Sequence, residues 1–282
     1  MPSSYQTLVS VQALGQNLTN PNWIVVDCRF SLKDTEQGRR AYSEGHIPGA
    51  RYAHLDDDLS GSIIPGQTGR HPFPEPAQFA AKLGSWGIRT DTQVIAYDDM
   101  GGAIAARLWI MLRWLGHNNV AVLDGGWPAW LAADLPSESD TPAITPTVFT
   151  PTTQKAMLAN TEAVEQATTN DNICLLDARA AARYAGEHEP IDPVAGHIPS
   201  ALSFPWADNL GPDGHFRSAD ELRTRFAAVD TGNSISYCGS GVTAAHNLLA
   251  IAHAGLPSPR LYHGSWSAWI TDSHHKIAKS DT

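Results

Sequence analysis

The chain repeats itself, and an internal duplication constrains the fold more strongly than composition does. Four segments recur in the same order, about 140 to 150 positions later. Val-Val-Asp-Cys-Arg at 25–29 returns as Leu-Leu-Asp-Ala-Arg at 175–179, and Gly-His-Ile-Pro-Gly-Ala at 45–50 returns as Gly-His-Ile-Pro-Ser-Ala at 196–201. Ile-Ala-Tyr-Asp at 95–98 returns as Ile-Ser-Tyr-Cys at 235–238, and Gly-Gly-Trp-Pro-Ala-Trp at 125–130 returns as Gly-Ser-Trp-Ser-Ala-Trp at 264–269. We therefore expect two copies of one fold.

The stretch between the two copies, residues 135–151, is rich in Pro, Ser and Thr. That composition is typical of an extended connection between domains. The 282 residues are enough for two domains of ordinary size. We predict a first domain over residues 1–138, a linker over 139–153 and a second domain over 154–282.

Each copy alternates short apolar runs with longer stretches that suit helices. The short runs are rich in Val, Ile or Leu, as buried parallel strands are, and they cover residues 23–27, 93–97, 120–123, 173–177, 234–237 and 260–262. Residues 103–115 and 243–254 suit helices, and Ser218 with Glu221 forms a capping-box pattern that starts another. The alternation predicts an α/β fold in which each domain has a mainly parallel sheet with helices on both faces.

Charge and cysteine usage exclude several classes of function. The net charge of -10, without any long run of Lys or Arg, argues against nucleic-acid and membrane partners, and it means that an anionic ligand needs a local positive pocket. Three scattered cysteines make neither a disulfide framework nor a zinc site, so we expect no metal and no cofactor. Because the N-terminus has no signal-like pattern and no apolar run approaches the ~20 residues of a membrane span, we expect a cytoplasmic protein.

Cys238 is the candidate nucleophile. It follows an apolar strand and precedes a small, glycine-rich loop and a helix, a position where parallel sheets bind ligands and where backbone N–H groups are free. Such N–H groups can surround a sulfur and lower its pKa, and Gly239 and Gly241 suit a loop that needs unusual backbone angles. Cys28 and Cys174 lie in apolar strands and are expected to be buried, unreactive residues.

A cysteine phosphatase is an alternative interpretation of the same loop. Cysteine phosphatases place an arginine six positions after the nucleophile, because a planar guanidinium holds phosphate through paired hydrogen bonds. In this chain that position is Ala244. The loop therefore suits a single sulfur atom better than a tetrahedral phosphate.

Three motifs occur in both copies: Asp-x-Arg, Gly-His-Ile-Pro and Gly-x-Trp-x-x-Trp. Together with Cys-Gly-Ser-Gly-Val-Thr at 238–243, they resemble the motifs of the tandem-domain sulfurtransferase family of rhodanese and 3-mercaptopyruvate sulfurtransferase. The resemblance implies two tandem rhodanese-like domains and a Cys238 persulfide. That persulfide would carry sulfane sulfur from 3-mercaptopyruvate or thiosulfate, both small anions, to cyanide or to a thiol such as that of a thioredoxin-like protein. The first copy has Asp98 at the cysteine position, which implies a catalytically silent domain that supplies one wall of the cleft through Tyr97, Asp98 or their neighbours. The alternative is a persulfide carrier with little turnover.

The resemblance also implies roles for further residues of the loop. Gly239, Gly241, Val242 and Thr243 would hold the donor or the persulfide through the loop N–H groups. Ser240 would relay a proton to the leaving group. Gly239 and Ser240 stand where thiosulfate rhodaneses usually carry basic residues, so the loop resembles that of the mercaptopyruvate branch.

His46 matches a family histidine that works with this serine, and Asp34 and Glu36 are both candidates for the acidic third member. The same Gly-His-Ile-Pro motif surrounds His197 in the second copy. His46 is therefore either catalytic or a turn-forming residue common to both domains.

Arg183 matches the family arginine that meets the negative end of the donor, and a guanidinium suits a carboxylate or a thiosulfonate equally. Mercaptopyruvate enzymes commonly carry a second arginine before the second Gly-His-Ile-Pro, where this chain has Glu-Pro-Ile-Asp-Pro at 189–193. This departure leaves thiosulfate open as the donor. The recurring Asp27–Arg29 and Asp177–Arg179 motifs are expected to be structural ion pairs.

Overall fold

The computed structural model describes residues 4–280, and the chain forms two compact units. The first unit contains the residues up to Gly61, Phe73–Gln154 and Pro212–Phe216. The second contains Ser62–Pro72, Lys155–Gly211 and the residues from Arg217 onward. Neither unit is a continuous stretch of sequence.

These units differ from the predicted boundaries of 1–138, 139–153 and 154–282. The predicted linker belongs to the first unit, where the Thr147 N–H donates to the Gly84 carbonyl at 2.8 Å and the Phe149 ring is buried. Ser62–Pro72 belongs to the second unit although it lies within the first copy, and Pro212–Phe216 belongs to the first. Specific hydrogen bonds and apolar contacts, rather than composition, decide where these segments pack.

The first unit is built on a five-stranded parallel sheet of order β1-β5-β4-β2-β3. The strands are β1 (Leu8–Val9), β2 (Trp23–Asp27), β3 (Arg51–Tyr52), β4 (Gln93–Tyr97) and β5 (Val120–Leu123). The helices are α1 (Val11–Gly15), α2 (Gln37–Glu44), α3 (Pro76–Ser85), α4 (Ala105–Trp114) and α5 (Gly126–Ala132).

The second unit repeats this plan with a parallel sheet of order β6-β10-β9-β7-β8. Its strands are β6 (Leu158–Ala159), β7 (Cys174–Asp177), β8 (Leu202–Ser203), β9 (Ser234–Tyr237) and β10 (Arg260–Tyr262). Its α-helices are α6 (Thr161–Ala167), α7 (Ala181–Ala185), α8 (Ala219–Phe226), α9 (Thr243–His253) and α10 (Ser265–Trp269). Three short 3-10 helices cover Lys155–Met157, Trp206–Asn209 and Thr231–Asn233.

Both faces of each sheet are covered, since every residue of the central strands β4 and β9 is buried although successive side chains point to opposite faces. In the first unit, Ile95 and Tyr97 pack in one apolar cluster with α1, α2 and α5, and α4 contacts β4 and β5. Burial of this kind produces the continuous apolar runs of a parallel sheet. The predicted α/β fold is confirmed.

The predicted elements agree closely with the observed ones. Five of the six predicted strands have the predicted bounds, and the sixth starts one residue later, at Cys174. The two predicted helices are each slightly shorter than the predicted stretches. The capping box at the start of α8 is present, with reciprocal hydrogen bonds between Ser218 and Glu221.

The recurring motifs form one buried cluster in each unit. In the first unit Arg29 donates to the Asp27 carboxylate at 2.6 Å and to the Gly45 carbonyl at 2.6 Å, while the guanidinium lies 4.7 Å from the Trp127 ring centroid. The Tyr97 hydroxyl donates to the same carboxylate at 2.6 Å. In the second unit, Arg179 repeats these contacts with Asp177, Gly196 and Trp266. The ion pairs are therefore structural, as expected from their presence in both copies.

Within residues 4–280, none of the helices combines the length and the apolar character that crossing a bilayer requires.

Candidate active site

Cys238 lies directly after β9, at the carboxyl end of the sheet, and before α9. The residue is only 2% exposed. The Gly241 N–H donates to its sulfur at 3.2 Å, and the N–H groups of Ser240 and Ala244 and the Thr243 hydroxyl also donate to it. The loop of residues 238–243, here called the cysteine loop, therefore surrounds one sulfur atom with hydrogen-bond donors.

These donors set the charge of the sulfur. Burial raises the pKa of the Cys238 thiol, but the hydrogen bonds from the Thr243 hydroxyl and from the N–H groups of Ser240, Ala244 and Gly241 outweigh it. The result is a pKa below the ordinary value of a cysteine. Because the thiolate is the nucleophilic form, this loop activates its cysteine.

Backbone contacts hold the cysteine loop in this shape. Gly241 has a φ of 75°, and a Cβ there would lie 2.4 Å from the His263 carbonyl oxygen, so only glycine fits. Two hydrogen bonds join the loop to the start of α10. The Cys238 N–H donates to the Ser265 hydroxyl at 3.0 Å, and the Ser267 N–H donates to the Gly239 carbonyl at 2.9 Å. The loop is thereby fixed before any donor arrives.

The Ser240 hydroxyl is hydrogen-bonded to His71 Nδ1 at 2.7 Å, and both side chains are buried. His71 belongs to Ser62–Pro72, which packs in the second unit. The predicted partnership of Ser240 with His46 is therefore wrong, because His71 occupies the place expected for His46.

His46 is fully buried in the first unit, where its Nδ1 lies 2.7 Å from the Tyr42 carbonyl and its ring stacks on Tyr42 at 3.8 Å. His197 makes the same contacts with Tyr184 in the second unit. The same geometry in both units supports the interpretation of this histidine as a turn-forming residue common to both domains.

The acidic residues considered as partners of His46 are exposed side chains on the surface of the first unit. Asp34 pairs with Arg40 at 2.5 Å, and Glu36 pairs with Arg39 at 3.1 Å. Neither carboxylate contacts His46 among the described hydrogen bonds and ion pairs. They carry no part of a catalytic group with that histidine.

Arg183 lies in a network of charges beside the cysteine loop. Its Nε donates to Glu189 at 2.9 Å and its Nη2 to Asp192 at 2.9 Å. Arg70, from Ser62–Pro72, donates through Nη1 to the other oxygen of Asp192 at 2.5 Å. Burial raises the pKa of Glu189, but Arg183 and two backbone N–H groups outweigh it and lower the pKa below its ordinary value.

Both guanidinium groups face Gly239. A Cβ on that residue would lie 3.2 Å from Arg70 Nη2 and 3.4 Å from Arg183 Nη2. The missing side chain of Gly239 thus leaves room for two cations next to the nucleophile. A second arginine beside the cysteine loop, absent from residues 189–193, comes from Ser62–Pro72.

Sequence reasoning missed Arg70 and His71. Neither belongs to a motif that recurs, and neither is near Cys238 in sequence. One signal was present: β3 and α3 are joined by a long connection without a helix or a strand, and such connections in compact domains are usually functional.

The first unit has a carboxylate where the second has a thiol. Asp98 follows β4 and is fully buried, and its two oxygens accept N–H groups from Met100, Gly102, Ile104 and Ala105 at 2.7 to 2.8 Å. Tyr97 is also fully buried. Tyr97 and Asp98 themselves therefore line no cleft, because both side chains are enclosed within their own unit, and a wall formed by their neighbours stays a prediction.

The other two cysteines differ from Cys238. Cys28 is fully buried, and burial together with the nearby carboxylates of Asp27, Asp98 and Asp58 raises its pKa well above the ordinary value. Cys174 is only half-buried at the start of β7, which corrects the expectation of full burial.

Residues 10–133 and 159–272 each match the model of the rhodanese-like domain. The chain is 47% identical over 279 residues to a probable 3-mercaptopyruvate sulfurtransferase of Pseudomonas aeruginosa, covering 97% of this chain and 98% of that protein. It is 34% identical over 278 residues to the thiosulfate sulfurtransferase of Bos taurus, covering 94% and 92% of the two chains.

Solved structures agree with this grouping. The crystal structure of a 3-mercaptopyruvate sulfotransferase of Escherichia coli superposes with a TM-score of 0.81 at 31% identity, covering 93% of this chain and all of that one. A 3-mercaptopyruvate sulfurtransferase of Leishmania major gives a TM-score of 0.82 at 33% identity, covering 93% of this chain and 73% of that one. With two matched domains and relatives along almost its whole length, the chain belongs to the family of tandem rhodanese-like sulfurtransferases.

Proposed function

We propose that the chain transfers sulfane sulfur from 3-mercaptopyruvate or thiosulfate through a persulfide on Cys238. The observation that carries the proposal is the set of hydrogen bonds to a single sulfur, which lowers the pKa of its thiol despite burial. Donors aimed at a sulfur anion stabilise the thiolate before the transfer and the persulfide anion after it. The names of the relatives support the two donors.

In the first half-reaction the Cys238 thiolate attacks the transferable sulfur of the donor. With thiosulfate, a sulfur–sulfur bond breaks and sulfite leaves with the electron pair. With 3-mercaptopyruvate, a carbon–sulfur bond breaks and the enolate of pyruvate leaves. In both cases the product is a Cys238 persulfide anion, which the N–H groups of the cysteine loop hold.

The 3-mercaptopyruvate reaction also needs one proton to move from the donor thiol to the methylene carbon of the enolate. The hydroxyl of Ser240, two residues after Cys238, can pass that proton, and His71 at 2.7 Å can exchange it. Sulfite needs no proton to leave. The Ser240–His71 pair is therefore proposed to serve the mercaptopyruvate reaction specifically.

In the second half-reaction an acceptor attacks the outer sulfur of the persulfide and releases the Cys238 thiolate. We propose a thiol, such as that of a thioredoxin-like protein, or cyanide as the acceptor. The three cysteines are all free. A reducing compartment such as the cytoplasm is proposed, because it keeps the attacking thiol reduced.

The test is intact-mass analysis after incubation with either donor. We expect the mass of the protein to increase by one sulfur atom, and the adduct to disappear on addition of cyanide with repeated turnover. Cys238→Ser should form no adduct, while Cys28→Ser, the matched control, should form it as the parent does. An adduct that persists in Cys238→Ser would refute the proposal, and an adduct that never turns over would favour the persulfide carrier.

A further inference from the structure

Asp192 is bound by two arginines at once. Its Oδ1 accepts from Arg70 at 2.5 Å and its Oδ2 accepts from Arg183 at 2.9 Å. The Asp192 side chain is 3% exposed, whereas those of Arg70 and Arg183 are 26% and 15% exposed. A buried carboxylate thus joins two cations that remain accessible to a small solute.

Arg70 retains an unused hydrogen-bond donor, and both arginines reach the cysteine loop. Arg70 Nε is buried and has no hydrogen-bond partner among residues 4–280. Arg70 Nη2 and Arg183 Nη1 approach the position of a Gly239 Cβ at 3.2 and 3.5 Å. An unpaired, buried guanidinium N–H is costly, so it is a place where an anion would bind favourably.

The charges of this cluster nearly cancel without a ligand. Arg70 and Arg183 contribute two positive charges, and Asp192 and Glu189 contribute two negative ones. Glu189 also pairs with the buried Arg179 at 3.3 Å, whereas Asp192 is the carboxylate that both accessible arginines share. Asp192 therefore weakens the attraction of this site for any further anion.

We propose that Arg70 is a specificity-determining residue that binds the anionic group of the sulfur donor together with Arg183, and that Asp192 competes with the donor for both. The inference deepens the proposed sulfur transfer and rests on it. It names thiosulfate and related thiosulfonates as the donor class that depends most on Arg70.

The covalent structure of the donors explains that dependence. In thiosulfate the transferred sulfur is bonded directly to the charged sulfonate, so the charge must lie beside the nucleophile. In 3-mercaptopyruvate two further carbons separate the transferred sulfur from the carboxylate. The two guanidinium groups face Gly239, the residue directly after Cys238. The sulfonate of a thiosulfonate donor would lie beside these guanidinium groups when its outer sulfur meets Cys238.

Donor charge can be varied without changing the chemistry. Thiosulfate carries two negative charges and releases sulfite when its sulfur–sulfur bond breaks. Methanethiosulfonate carries one negative charge and releases methanesulfinate by the same bond cleavage. In each case the Cys238 thiolate becomes the persulfide anion, and the leaving group keeps the electron pair.

The experiment compares KM and kcat for these two donors, with cyanide as acceptor, in Arg70→Gln, Asp192→Asn and the parent protein. Arg70→Gln should raise the KM for thiosulfate about tenfold or more, as expected for the loss of a charge-assisted hydrogen bond. It should raise the KM for methanethiosulfonate by less and leave kcat within about twofold, because the cysteine loop is unchanged. Asp192→Asn should lower the KM for thiosulfate by about threefold to tenfold, because one competing charge is removed.

Arg217→Gln is the matched control, since Arg217 is an exposed arginine of the same unit that contacts only Glu221 at 3.8 Å and the Asp208 carbonyl at 2.9 Å among the described side-chain contacts. Its KM values should not change. Circular dichroism and thermal melting verify that each variant folds.

If Asp192→Asn raises the KM for thiosulfate as Arg70→Gln does, Asp192 merely positions Arg70 and the competition is disproved. If Arg70→Gln leaves both KM values unchanged while the persulfide still forms, this inference fails and the proposed function stands. If the parent protein forms no persulfide with either donor, the proposed function itself fails.

Discussion

The loop that follows β4 and the loop that follows β9 occupy the same position in two copies of one sheet, yet only one of them presents a nucleophile. The cysteine loop directs its donors at the Cys238 sulfur. The loop of residues 98–105, here called the aspartate loop, directs four N–H groups at the Asp98 carboxylate. Both loops therefore bind an anion, and in the first unit that anion is part of the chain itself.

The size of each loop matches the anion that it binds. In the aspartate loop α4 begins seven residues after Asp98, at Ala105, and the donors are shared between two oxygens. In the cysteine loop α9 begins five residues after Cys238, at Thr243, and the donors converge on one sulfur. This position of the sheet therefore surrounds an acidic side chain with donors in both units, and the residue at the start of the loop decides whether that side chain is a nucleophile.

The largest expected effect comes from making the second loop like the first. Cys238→Asp should abolish sulfur transfer completely, since a carboxylate cannot carry sulfane sulfur, while the protein should still fold because the loop N–H groups keep an anionic partner. Turnover with thiosulfate and cyanide measures the first effect, and thermal melting measures the second. Residual turnover would show that another group carries the sulfur.

A smaller effect is expected in the first loop. Asp98→Asn replaces one accepting oxygen by an NH2 group that faces two backbone N–H donors, and leaving buried donors unsatisfied should cost about 3 kcal/mol of stability. Chemical denaturation of the full chain measures the loss. Asp91→Asn, which removes only an exposed ion pair with Arg89, should change stability by less than about 1 kcal/mol. Equal losses in the two variants would contradict the special role of the aspartate loop.

The smallest effect concerns the hydroxyl that distinguishes the cysteine loop. Thr243→Val removes one hydrogen bond to the sulfur anion while keeping the shape of the side chain, so the pKa of Cys238 should rise and alkylation by iodoacetamide at neutral pH should slow about tenfold. The pH profile of alkylation should have its midpoint below the ordinary value of a cysteine in the parent protein and higher in the variant.

The same depressed pKa links Cys238 to stability. Because folding lowers the pKa of this acid, its contribution to stability is present above the pKa of the unfolded state and is lost as the pH falls through the pKa of the folded state. Cys28, whose pKa is raised, should react only after unfolding.

If the pH profile of alkylation is the same in Thr243→Val as in the parent protein, the backbone N–H groups alone keep the Cys238 sulfur as a thiolate.

The two loops also explain which sequence inferences succeeded. Features present in both copies, such as the Asp27–Arg29 ion pair and the histidine of Gly-His-Ile-Pro, proved to hold the common fold together. Features present in only one copy carry the chemistry, as Cys238 does. The recurrence of Gly-His-Ile-Pro already favoured a shared structural role for His46, and its catalytic alternative came only from the family resemblance.

What the sequence determined by itself was the duplication, the six longer strands and the loop around Cys238. The duplication is visible in the repeated motifs, and the strands and the loop depend on neighbours within a few residues along the chain. Only the tertiary structure decided that His71 meets Ser240, that Arg70 and Arg183 share Asp192, and that Asp98 is enclosed by its own loop. The Ser240–His71 pair and the cluster of Arg70, Arg183 and Asp192 form through loops whose paths leave no periodic pattern in the sequence. Their meeting depends on the summed packing of a whole unit, which no local pattern records.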